Sequence, residues 1–191
     1  MVAPRVLVGC EFSGVVRDAF AARGFDAWSC DLQESEAEGQ HIVDDVLNVV
    51  VRGRWDLFIA HPPCTDLAVS GAWAFKLKGD RQEFALTLVR ELLAAPVPRI
   101  AIENPVSVIS SRVAKPTQVI QPWWFGHPEP KSTCLWLKNL PRLRATRAVI
   151  PGKSQILAMS PSEARRAERS RTYKGVADAM AEQWGAVLLG T

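Results

Sequence analysis

Between Arg5 and Ile102, short apolar runs of four or five residues alternate with longer polar or amphipathic stretches. That alternation is the sequence form of repeated βαβ units, and it confines the chain to an α/β fold built on a doubly wound, mostly parallel sheet. Strands are expected at Arg5–Gly9, Ala27–Cys30, His41–Val43, Leu57–Ala60 and Arg99–Ile102. A helix over 14–23, with Val15, Val16, Ala19 and Phe20 at helical spacing and Gly24 as its stop, joins the first two. A second helix is expected over Asp80–Ala94, with Phe84, Ala85, Leu88, Val89 and Leu92 on one face. Beyond Pro105 the pattern changes to loops rich in Pro and Trp and a strand at Thr133–Leu137. A basic helix to about Ser170 then opens at the Ser160-Pro161-Ser162-Glu163 capping box. A last helix over Val176–Trp184 and a closing strand at Ala186–Leu189 complete the chain.

Composition narrows the class. With 48% hydrophobic and 23% charged residues in 191, the chain is neither disordered nor fibrous, and one domain over 1–191 is expected. No apolar run approaches the roughly 18 residues of a membrane span. Met1–Arg5 leads straight into Val6-Leu7-Val8 without a secretory leader's apolar stretch, so a cytoplasmic location is expected. The cysteines at 10, 30, 64 and 134 lack the close pairing of a zinc ribbon and read as free thiols. The net charge of +3 conceals an asymmetry: residues 141–174 carry nine basic side chains and two acidic ones. Such a block suits phosphate contacts on a polyanion; it also suits a solvated helix face and loop.

In an open parallel sheet, ligands bind beyond the carboxyl ends of the strands. Five of these ends are polar: Glu11-Phe12-Ser13-Gly14, Asp31, Asp44-Asp45, His61-Pro62-Pro63-Cys64 and Glu103-Asn104-Pro105. A glycine turn after the first strand opens the backbone and the next helix N-terminus to a ligand, and an acidic residue ending the second strand accepts both hydroxyls of a ribose. Together they point to a nucleoside-containing cofactor. Cys64 follows two prolines on a rigid turn, where a nucleophile belongs; the other reading is an inert thiol. Glu103, if burial keeps it protonated, serves as an acid or hydrogen-bond donor; otherwise it caps a helix or pairs with an Arg. Cys10, Cys30 and Cys134 flank apolar residues and read as core thiols. His61, Cys64, His127 and Cys134 are the residues from which a metal site would have to be built, but their spacing matches no familiar zinc motif, and no metal is expected. Trp123-Trp124, in a Pro-rich loop, offer a stacking surface.

These spaced motifs resemble the DNA (cytosine-5) methyltransferases that use S-adenosylmethionine, especially their short phage and prophage members. Phe12-Ser13-Gly14 is similar to the cofactor loop whose Phe stacks on adenine, and Asp31, followed by Leu32, to the acidic residue on the ribose. Asp45, or its neighbour Asp44, stands at the position that contacts the adenine amino group. Pro62-Pro63-Cys64 resembles the Pro-Cys motif whose thiolate attacks cytosine C6, and Glu103-Asn104-Pro105 the Glu-Asn-Val motif whose Glu engages N3. The motifs occur in family order over residues 5–105, about half the chain.

The resemblance implies a Rossmann-like methyltransferase fold. Residues 1–105 would form the cofactor and catalytic half, and 106–191 the substrate-facing loops. Glu11 and Pro62 then join the cofactor side, and Pro63, Thr65 and Asn104 flank the target base. Trp123, Trp124 and Lys131, together with Arg165, Arg166, Arg169 and Arg171, become the substrate and DNA contacts. The chain departs from the family in lacking the later glycines of the first loop, in Thr65 after the cysteine, in Pro105 and in the absent Gln-x-Arg-x-Arg motif. About 85 residues follow Pro105, too few for a separate target-recognition region, so relaxed or short sequence specificity is expected. Two further readings stay open: the same chemistry on a free cytosine nucleotide or with another group transferred, and a non-catalytic module that binds cofactor or DNA.

Overall fold

The structure, a computed structural model, describes residues 2–68, 75–153 and 171–191, with the backbone alone at 75–78. The strands are β1 (Arg5–Gly9), β2 (Asp26–Asp31), β3 (His41–Val43), β4 (Leu57–Ala60), β5 (Ile100–Pro105), β6 (Gln118–Ile120) and β7 (Thr133–Lys138). They form one seven-stranded sheet in the order β3-β2-β1-β4-β5-β7-β6. The first five run parallel, and β7 lies antiparallel to both β5 and β6. This is the doubly wound α/β architecture, with its order reversing between β1 and β4.

Both faces of the sheet are covered, which is why the central strands are apolar at every position and do not alternate. On one face Val6, Val8, Leu57, Ile59 and Ala101 pack beneath helices α1 (Val15–Ala21) and α5 (Lys174–Leu189). Leu7, Phe58, Ala60, Ile100 and Ile102 point to the other, beneath α2 (Val46–Arg52) and α3 (Phe75–Leu93). A short α4 spans Ile109–Arg112. Among the described residues no helix is long and apolar enough to cross a membrane.

The structure departs from the expected elements at several points. Ala186–Leu189 is no closing strand: it is the last turn of α5, whose stripe Val176, Ala177, Met180, Ala181 and Trp184 packs on α1 and continues into Gly185. A four-residue apolar run carries no period of its own, so its neighbours decide. Gly190, at φ 73°, closes the helix by donating to the Ala186 and Val187 carbonyls. The face of α3 is rotated from the expected one, with Leu86, Val89 and Leu92 buried and Phe84 74% exposed. β5 runs on to Pro105, so Glu103 and Asn104 lie within the strand, opposite Leu135 and Cys134. Helices α2 and α4 and strand β6 were not anticipated by the periodicity. The basic helix after Ser160, with Arg165, Arg166 and Arg169, lies outside the described residues.

Trp184 is fully buried and its indole N–H donates to the Pro141 carbonyl at 3.0 Å, tying α5 to the segment after β7. Trp184→Ala is expected to cost about 3–5 kcal/mol of unfolding free energy, as a cavity and an unpaired carbonyl replace the ring. Urea unfolding followed by circular dichroism measures it; a loss below about 1 kcal/mol would contradict this packing.

Candidate active site at the carboxyl edge of the sheet

The chain leaves β1 and β4 toward opposite faces, and between such strands an open α/β sheet forms its ligand crevice. The β1 exit bends at once: Cys10 adopts φ 55°, and Glu11 turns inward to 5% exposure. The Glu11 carboxylate accepts the Val16 N–H at 2.7 Å and the Arg17 N–H at 3.2 Å. The first N–H groups of α1 are therefore satisfied by Glu11 and are not open to a ligand, contrary to the expectation from the glycine turn. Burial raises the Glu11 carboxyl, offset in part by His61, the two N–H donors and Arg17.

Arg17 was not anticipated. Its guanidinium is buried under the loop after β2, donating to Asp18 at 2.7 Å, to the Ser29 and Ser35 hydroxyls at 3.2 Å and to the Glu38 carbonyl at 2.6 Å. Gly14, at φ 74°, is required beside it, since a Cβ there would lie 2.5 Å from Arg17 Nη2. The one available signal was a cation next to Val16 on the apolar face of α1.

The second and third strands deliver the acidic groups. Asp31 accepts the Gln33 N–H at 3.1 Å, and Leu32 beside it is 76% exposed, an apolar side chain presented at a polar edge. Asp45 caps α2 by accepting the Leu47 N–H at 2.9 Å. Asp44 accepts from Asn48 at 3.3 Å and from the Asp45 N–H at 2.7 Å, and these bonds hold its carboxyl below the usual range. The half-buried Phe12 is covered through its carbonyl, which accepts the Glu36 N–H at 2.8 Å.

On the other side of the crevice, β4 ends in His61-Pro62-Pro63-Cys64. Asn104 is buried and donates its amide to the Pro62 carbonyl at 2.8 Å, which locks the proline turn to β5. Asn104 thus braces the turn through its amide N–H, while its Oδ1 is buried without a partner among the described residues. Val108 N–H donates to the Leu67 carbonyl at 3.0 Å, and the Cys64 carbonyl accepts from Leu67 and Ala68, so the turn is held at both ends. Cys64 is half-buried, and Pro63 and Thr65 are exposed. The remaining thiols are unsuited to attack: burial pushes Cys10 and Cys30 up to about 12 and also raises Cys134.

Glu103 corrects an expectation. Burial does raise its carboxyl, but the His61 hydrogen bond at 3.1 Å, with the charges of His61 and Lys131, outweighs burial and leaves Glu103 below the ordinary carboxylate range. These contacts favour the charged form of the carboxyl against the burial that opposes it. Glu103 faces a narrow cleft with Lys131, Thr133, Thr172 and Tyr173, where the Lys131 ammonium lies 5.5 Å from the Tyr173 ring centre. A neighbouring cavity of about 40 Å³ lies among Phe12, Ser13, His61, Arg171 and Thr172. A larger one, about 550 Å³, opens at the opposite edge near Arg54, Trp55 and Arg99, away from every polar strand end.

The later segments are placed unevenly. Arg171 forms an ion pair at 2.6 Å with Glu36, in the loop after β2. Arg142, Arg144, Arg147 and Lys153 are exposed. Trp123 and Trp124 meet edge to face at 5.7 Å, with Trp124 against the core, and their carbonyls brace the 146–149 segment. Burial lowers His127, whose Nε2 accepts the Gly175 N–H at 2.9 Å.

Among solved structures the chain is similar to the 16S rRNA methylase RmtB, with 18% identity, 70% of this chain covered and a TM-score of 0.35. The chain spans 55% of the length of that structure. No family model and no curated protein matches the sequence.

Arg17→Met removes several buried hydrogen bonds worth about 1 kcal/mol each and frees the loop after β2. Cleavage by a glutamate-specific protease at Glu34, Glu36 or Glu38 is expected to accelerate at least tenfold while the helical circular dichroism persists; an unchanged cleavage pattern would show that the guanidinium does not hold the loop.

Proposed function

We propose that this protein transfers a methyl group from S-adenosylmethionine to C5 of cytosine in DNA. The observation that carries the reading is the Asn104–Pro62 hydrogen bond of 2.8 Å, which joins the turn bearing Cys64 to the strand end bearing Glu103. A thiol and a carboxyl group are thereby carried by adjacent strands at one edge. Phe12, Asp31, the exposed Leu32 and Asp44-Asp45 stand on the other side of the same crevice, a set that suits the ring, ribose and amino group of an adenosine.

The cofactor, when bound, supplies an electrophilic methyl on a sulfonium. Everything else falls to this chain. Cytosine C5 is a poor nucleophile, so Cys64 as thiolate adds to C6, and the electron pair displaced through the ring is met by a proton delivered to N3 from Glu103. The enamine thus formed attacks through C5. Loss of the C5 proton to a base then expels Cys64 and restores the ring. In duplex DNA the target base leaves the stack to reach Cys64. Phosphate contacts would come from the basic segment after β7, in which Arg142, Arg144, Arg147 and Lys153 are exposed.

Methyl-labelled cofactor incubated with DNA tests this directly. Label is expected in 5-methylcytosine, reduced to background by Cys64→Ala, and the rate is expected to fall steeply with salt. Label that survives Cys64→Ala would overturn the mechanism. Label on dCMP with no salt dependence and none on DNA would move the substrate to the free nucleotide.

A further inference from the structure

His61 stands between the two halves of the crevice. Its Nδ1 lies 3.1 Å from Glu103 Oε2, and the two side chains are 8% and 13% exposed. Its Nε2 is buried without a partner among the described residues. Around it are Glu103 from β5, Cys10 and Glu11 from the loop after β1, and Arg171 from the segment before α5; Lys131 lies beside Glu103. This arrangement is not that of a core histidine, which would satisfy both nitrogens.

The mechanism proposed above, on which this inference rests, leaves one proton without a source. The His61 contact and the nearby Lys131 favour the charged form of Glu103 in the free protein, yet N3 must be protonated as Cys64 adds. The ring bonded to Glu103 can carry that proton: as the imidazolium, His61 donates from Nδ1 to Oε2.

We infer that His61 is the proton source for Glu103. The proton passes from Nδ1 to the Glu103 carboxylate, giving a neutral imidazole and a carboxylic acid. As the Cys64 sulfur bonds to C6, the acid protonates N3 and returns to carboxylate, so His61 has lost one proton and N3 has gained it. When C5 is deprotonated and Cys64 departs, N3 gives the proton back along the same path. His61 touches Glu103 and not the base, so it is a positioning residue that acts through the carboxyl group.

The test is His61→Asn, whose amide keeps a hydrogen-bond donor to Glu103 but carries no titratable proton. Methyl transfer to DNA at neutral pH is expected to fall about 100-fold, the lower range for general acid catalysis, with cofactor binding by calorimetry within twofold. The pH profile of methyl transfer should differ between the two proteins, because the proton in the variant must come from Glu103 itself. Independently of turnover, the Glu103 carboxyl, followed by carbon-13 NMR of glutamate-labelled protein, should titrate at higher pH than in wild type. A wild-type rate and pH profile, or an unmoved Glu103 titration, overturns the inference. His61→Gln serves if the Asn variant does not fold by circular dichroism. Wild-type protein that transfers no methyl group to cytosine defeats the functional reading instead, while the NMR titration still decides whether His61 sets the charge of Glu103.

Discussion

Parallel pairing in register is the constraint on which the rest of this molecule depends. Gly9 pairs with Cys30 on one side and Ala60 on the other, and Ala60 pairs with Ile102. The next residues along those strands are Cys10, Asp31, His61 and Glu103, so they form one row at the carboxyl edge. Adjacent strands lie about 4.8 Å apart, so His61 and Glu103 are neighbours by construction, and their 3.1 Å bond follows from the ladder. Asp31 and Glu103, three intervals apart, stand about 14 Å from each other. On the function proposed above, that spacing would give a nucleoside and a reacting base separate places along one crevice.

Holding such a row together requires that the turns leaving it do not open. Each turn is tied back by a buried polar group: Glu11 caps α1, Arg17 gathers the loop after β2, and Asn104 grips the Pro62 carbonyl. All three are polar residues in apolar surroundings, and each has at least one hydrogen bond to a backbone group there. The prolines at 62 and 63 add stiffness but remove two N–H groups, which is why the turn relies on bonds to its carbonyls instead.

The alternation of apolar runs made the first five strands and their parallel order legible, because strands buried on both faces are apolar at every position. What it could not show is where a strand stops when its end is polar. Glu103 and Asn104 read as residues just past a strand but are paired with Leu135 and Cys134, because β7 supplies a partner from 30 or more residues downstream. The same limit hid β6, whose three residues matter only beside β7, and turned Ala186–Leu189 into a strand when α1 holds it in a helix. The site residues were legible as a set because they all follow strands. Their states were not: Glu11 as a cap, Arg171 beside Glu36 and the lowered carboxyl of Glu103 depend on contacts between distant segments.

The His61–Glu103 pair shows why state and position separate. An imidazole bonded to a buried carboxyl contributes little net stability, since desolvation of both groups offsets their attraction. An unpartnered buried nitrogen on the same ring makes the balance worse, by about 1–3 kcal/mol. Two apolar side chains of similar volume would complete the sheet edge at least as well. The fold nevertheless sets an imidazole against one buried carboxyl and within the field of a second, Glu11, on the far side of the crevice. An arrangement that folding alone does not favour, placed at the row where the strand ends converge, is what a site for moving a proton requires.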